Sequence, residues 1–165
     1  MRVYLPGTVE TLRALLETGE VGPAPLRAYA VTPALREWYL DDDVEELEYV
    51  ALIEAARASL RLLDLDPKAA RRRVVIAADA PDAAVARELA ADRAAVRLLE
   101  AVPMRLVASV HVDAAAAEDA VRAAANAVLE ADLGSADAQF VVDEAEGHEL
   151  AWYASQEVGP LLELL

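Results

Sequence analysis

The stretch Val74-Val75-Ile76-Ala77-Ala78, entered through Arg71-Arg72-Arg73, decides the fold. An apolar run with no polar break predicts an interior strand covered on both faces. The three arginines read as a solvated entry to it. Upstream, Asp66-Pro67 closes the longest periodic segment of the chain, Val44 to about Leu63. There Glu54, Arg57, Arg61 and Asp64 form one polar stripe in an otherwise apolar surround, which predicts a long, central, well-buried helix. Asp43 with Glu46 has capping-box spacing at its start, after the break at Asp41-Asp42-Asp43.

Working outward, Leu106–Val112 reads as a further strand. Leu106, Ala108, Val110 and Val112 alternate with Val107, Ser109 and His111. Asp113 then reads as the cap of a helix over 114–131, with Glu118 and Asp119 in its first turn. Towards the N-terminus, Arg2–Leu5 and Leu26–Val31 read as strands. Thr8 caps a helix that ends near Gly19, and Thr32-Pro33 starts a short one to Leu40. Residues 83–93 are Ala-rich and weakly helical, and 95–101 read as a strand. At the C-terminal end, Gln139–Val142 and His148–Tyr153 predict a hairpin turning at Glu146-Gly147, with a helix from Glu149 as the competing reading. Ser155 caps a last short segment, interrupted by Gly159-Pro160. The sum is a single α+β domain over 1–165, with helices packed on a mixed β-sheet of five or six strands.

Composition narrows the function classes. The chain has 165 residues, 56% hydrophobic, 38 of them alanine. With no cysteine, a disulfide framework, a thiolate zinc site and a cysteine nucleophile are excluded. Thirty acids against 15 bases give −15, of which residues 106–165 carry −11. Such a chain repels phosphate backbones and anionic lipid, so neither a nucleic-acid nor a membrane partner is expected. No secretory h-region and no membrane-length apolar run is visible, so a cytoplasmic location is expected.

Four stretches are distinctive: Met1-Arg2-Val3-Tyr4-Leu5-Pro6, Val31-Thr32-Pro33-Ala34-Leu35, Ser109-Val110-His111-Val112-Asp113 and Gly147-His148-Glu149-Leu150-Ala151-Trp152-Tyr153. Together they resemble a family of short, functionally uncharacterised actinobacterial proteins. The resemblance spans nearly the whole chain and implies a single-domain bacterial protein. It implies no activity, cofactor or catalytic residue.

Candidate sites are few. His111 and Asp113 at a strand end, with His148 and a carboxylate such as Glu149 or Asp143, form a possible ligand set for Mn, Fe or Zn. Against it, Asp113 serves as a cap and His111 as a hydrogen-bonded strand residue. Ser109 and His111 share a strand face, but parallel side chains would not make a productive relay, and no Gly-x-Ser-x-Gly motif is present. Trp38 is expected in the core. In Trp152-Tyr153, successive strand residues point to opposite faces, so one ring is expected to face outward as a partner surface. Two functions follow. The first is a non-enzymatic cytoplasmic binding or assembly protein, without cofactor, acting on a protein partner or itself through an acidic, aromatic-bearing surface. The alternative is a metal-assisted hydrolase or lyase using His111, Asp113 and His148.

Overall fold

A computed structural model describes residues 1–39, 43–88 and 92–165. Leu40, Asp41 and Asp42, and with them the end of the Thr32-Pro33 helix and most of the acidic break, lie outside the described residues. So does the 89–91 part of the Ala-rich segment.

The fold is α+β. Among the described residues, nine strands, β1 (Arg2–Gly7), β2 (Glu20–Val21), β3 (Leu26–Ala30), β4 (Val74–Asp79), β5 (Val85–Arg87), β6 (Ala95–Leu98), β7 (Val102–Pro103), β8 (Val107–Val112) and β9 (Ala151–Ala154), interleave with helices. The helices are α1 (Val9–Thr18), α2 (Pro33–Tyr39), α3 (Val44–Leu65), α4 (Glu118–Asp132), α5 (Ala136–Glu146) and α6 (Val158–Glu163). Seven strands form the main sheet in the order β5-β6-β3-β1-β4-β8-β9, and β2 pairs with β7 apart from it. Every pairing among the described residues is antiparallel. The mixed sheet of five or six strands is therefore corrected to a larger, antiparallel one. The predicted interior strand β4 holds its expected place between β1 and β8, with Val74–Ala78 fully buried.

Two cores sandwich the sheet. Val3, Leu5, Val74, Ile76, Val110 and Val112 face α1 and α6. Tyr4, Tyr29, Val75 and Ala77 face α3, which lies across β1, β3 and β4. A third cluster joins Leu60 and Leu63 of α3 to Val121, Ala124, Ala125 and Val128 of α4 and Val142 of α5. Alanine at these contacts lets helix axes approach closely. Each fully buried Leu or Val adds about 1.5–3 kcal/mol relative to exposure.

The capping arguments hold at three helix starts. Thr8 N–H donates to Thr11 Oγ1 at 2.9 Å, Leu35 N–H donates to Thr32 Oγ1 at 3.1 Å, and Glu45 N–H donates to Asp43 Oδ1 at 3.1 Å. Gly19 ends α1 at φ +80°, a left-handed position where glycine is unstrained.

Four local readings are corrected. Residues 139–142 are not a strand but part of α5, whose N-cap Ser135 Oγ accepts from Ala138 N–H at 3.2 Å. Ala138, Val142 and Ala145 make one buried helical stripe that overrides the β-prone Phe140-Val141-Val142. Consequently β9 pairs with β8 and not with 139–142. In the Ala-rich segment, 85–87 form the edge strand β5 rather than helix. Along β8, Ala77 pairs with Ser109 but Ala78 with Val107, so a bulge at Ala108 moves Val107 onto the face of Val110 and Val112. Finally, Gly159-Pro160 sits inside the first turn of α6, where a missing N–H costs nothing.

Candidate functional site

Strands β8 and β9 bring two of the singled-out residues together. Their register sets His111 opposite Trp152 and Val110 opposite Tyr153. Val75 lies opposite His111 and Ala77 opposite Ser109, so Ser109, His111 and Trp152 share the sheet face that carries α3. That helix is anchored over β1, where Tyr4 Oη donates to Glu48 Oε2 at 2.9 Å. β9 lies three strands beyond β1 at the sheet's edge, and Trp152 is 62% exposed there. Tyr153 points to the opposite face and packs on the core. The expected division of the two rings is what the strand geometry produces.

Ser109 Oγ and His111 Nε2 lie 3.2 Å apart, within hydrogen-bond reach, so the side chains converge where parallel ones were expected. Burial, and then the positive charge of Arg2, push the His111 pKa below its ordinary 6.5. The imidazole is therefore neutral at pH 7 and free to accept a proton. Ser109, however, is only 4% exposed. A nucleophile must reach its substrate, so this contact orients His111 rather than forming an accessible relay.

Asp113 and His148 belong to a different arrangement. Arg73 Nε and Arg73 N–H both donate to Asp113 Oδ2 at 2.8 Å, and Arg73 Nη2 donates to Oδ1 at 2.8 Å. Nη2 also donates to the His148 carbonyl at 2.7 Å. Both side chains of the pair are sealed from water. A buried carboxylate is tolerated only when paired and fully hydrogen-bonded. That requirement, rather than capping, fixes Asp113, and α4 begins at Glu118 after a 3-10 turn. Arg73 already occupies both oxygens of the carboxylate proposed as a ligand. Among the described residues, no three His, Asp or Glu side chains are placed to hold one metal ion. Asp143 Oδ1 accepts from Gln139 Nε2 at 2.7 Å. His148 lines a cavity of roughly 130 Å³ with Tyr49, Leu52, Ile53, Glu146 and Leu150, against the outer side of α3.

The solvated reading of Arg71-Arg72-Arg73 is corrected. Arg71 Nη1 donates to Leu63 O at 3.0 Å and Nε to Ala69 O at 3.0 Å, closing the C-terminal end of α3. Arg72 Nη1 donates to Asp113 O at 3.0 Å, and Arg72 Nε to Glu118 at 3.2 Å. Trp38 is corrected too. It is 60% exposed, and the guanidinium carbon of Arg93 stands 3.6 Å above its ring centroid. Thr32 Oγ1 donates to the Arg93 carbonyl and pins that segment beneath α2.

One group escaped sequence reasoning altogether. Glu54 of α3 is pushed up to about pKa 7, first by burial and then by the charge and hydrogen bond of Asp92. Glu54 was visible only as one member of a polar stripe, and no spacing links it to Asp92.

Among the described residues no helix is long and apolar enough to cross a membrane. No curated protein and no solved structure matches the chain. A family model does match, over residues 1–162. With nearly its whole length inside that match, the chain belongs to DUF6912, a family of unknown function.

Proposed function

We propose that this chain is a non-enzymatic binding protein of the bacterial cytoplasm whose partner, a basic and extended protein segment, adds to the edge strand β9 and seats on Trp152. The observation that carries this reading is the exposed indole on an unpaired sheet edge, with its neighbour Tyr153 anchored in the core. Edge strands offer a row of main-chain donors and acceptors, and an aromatic anchor supplies binding energy beside them.

Charge selects the partner. Glu149 and Glu157 flank β9, and Asp143, Glu144 and Glu146 precede it on α5. A second copy placed antiparallel on β9 would bring Glu149 against Glu157 of its mate, a repulsive arrangement. A basic segment meets complementary charge instead. The same acidity disfavours nucleic acid and anionic membrane as partners. No observation favours the alternative of a metal-assisted hydrolase or lyase at His111, Asp113 and His148.

The test exploits the two tryptophans of the chain. In a Trp38→Phe background, Trp152 alone reports. Titration with a lysine-rich, β-prone twelve-residue peptide is expected to blue-shift its emission, and to do so less at higher salt (the probe length follows the about 5–6 residues of a common strand plus flanks). An unchanged spectrum would sink the reading. Native mass spectrometry of the full chain supplies the second arm. A dimer abolished by Trp152→Ala would assign the edge to a second copy and overturn the heterotypic partner.

A further inference from the structure

In a protein of net charge −15, two arginines stand directly opposite each other without an ion pair to any described residue. Arg27 of β3 and Arg97 of β6 are register partners, next to the pair Tyr29 and Ala95. Tyr29 and Ala95 face the α3 side of the sheet, and two residues along each strand Arg27 and Arg97 face the same way. α3 crosses β1, β3 and β4, and both arginines are exposed. Neither makes an ion pair or a side-chain hydrogen bond with a described residue.

Acids on this face leave them unpaired. Asp132 binds Arg57 and Arg61, Glu54 interacts with Asp92, and Glu88, two residues beyond the Arg97 partner Ala86 on β5, makes no ion pair with either arginine. Like charges directly opposite on a sheet repel, with Cβ atoms about 5 Å apart. From Cβ atoms that close, two flexible arginine side chains can bring their planar guanidinium forks onto the oxygens of one phosphate group.

We propose that Arg27 and Arg97 form a binding site for a phosphate monoester dianion. Two cations suit one compact dianion, not a polyanionic backbone, which the remaining charge repels. The site lies on the same face but towards the opposite end of the sheet from β9, and stands independently of the edge-strand reading.

Calorimetric titration of the full chain with inorganic phosphate, against ionic strength matched by NaCl, tests it. One site is expected, weakened at least tenfold in Arg27→Gln and in Arg97→Gln and absent in the double variant. In phosphate-free buffer Arg97→Gln is expected to raise Tm by about 1–3 °C, because removing one charge relieves the repulsion. Heat that NaCl reproduces, or binding that survives in the double variant, overturns the proposal. Glycerol 3-phosphate and a phosphoserine peptide beside its unphosphorylated form then distinguish the source. Preference for the first assigns a small phosphorylated molecule, and preference for the second a modified protein. Binding of inorganic phosphate with neither monoester overturns the assignment to a monoester.

Discussion

At the scale of single residues, the Arg73–Asp113 pair carries the largest expected effect. Asp113→Ala leaves a buried guanidinium unpaired, so stability to urea is expected to fall by about 3–5 kcal/mol. Arg73→Met with Asp113→Leu is expected to recover much of that loss, because an apolar pair of similar volume needs no counter-charge. A single variant as stable as the parent would show that the pair is not sealed. His111 supplies a second test. Its proton NMR titration is expected to have a midpoint below 6.5, and Arg2→Gln to raise it by removing the repelling charge. A base depressed in the folded state binds fewer protons there than in the unfolded chain. Its contribution is full above the unfolded value of about 6.5 and is lost as pH falls through the folded pKa. The Asp113 pairing was not legible in the sequence. Arg73 is one of three consecutive arginines, and only the β4–β8 register shows which of them turns inward.

Among the elements, α5 offers the sharpest contrast between sequence and structure. On a strand, Phe140 and Val142 would share a face. On the helix, Phe140 is exposed and Val142 fully buried. Val142→Ala is therefore expected to cost about 1–3 kcal/mol and Phe140→Ala less than about 0.5, measured by urea unfolding. Equal costs would argue against the helix. The helix was hidden because Phe140-Val141-Val142 has strand propensity while the deciding contacts, Ala138, Val142 and Ala145 on α3 and α4, are tertiary. By contrast α3 was legible. Its 22 residues repeat apolar positions over many turns, a signal that no single contact can mask.

The same helix carries a pH prediction. An acid whose pKa rises on folding, as Glu54 does from 4.5 to about 7, holds its proton more tightly folded than unfolded. Stability contributed by that proton is present below about 4.5 and is lost as pH rises to 7. Glu54→Gln is expected to gain about 1–2 kcal/mol over the parent at pH 8, after allowance for solvent screening, and little at pH 4. A difference independent of pH would show that neither burial nor Asp92 raises the Glu54 pKa.

For the whole molecule, charge is organised by position rather than spread evenly. The segment that contains β9, residues 106–165, carries −11, while Arg27 and Arg97, without an ion pair to a described residue, lie towards the other end of the sheet. Glu149→Gln with Glu157→Gln is expected to slow association with the lysine-rich probe about tenfold at low salt, and to change its dissociation far less. Stopped-flow fluorescence of Trp152 measures both rates. An equal effect at 0.5 M NaCl would exclude steering. The charge map and the α+β class were legible because they depend on composition and long periodicities. The strand order was not, since it is set by pairings between distant parts of the chain.

That order has a kinetic consequence. β1, the earliest of these strands in the chain, ends at the centre of the sheet, where β3 and β4 flank it. Its β4 pairing joins Val3 to Ala78. Until β4 is synthesised, one edge of β1 stays open, and the outermost pairing, β8 with β9, comes later still. Non-local pairings must close long loops before they return any energy, which slows the search. Nascent chains therefore carry an open strand edge until a distant partner strand has been made, an exposure that favours association with other chains.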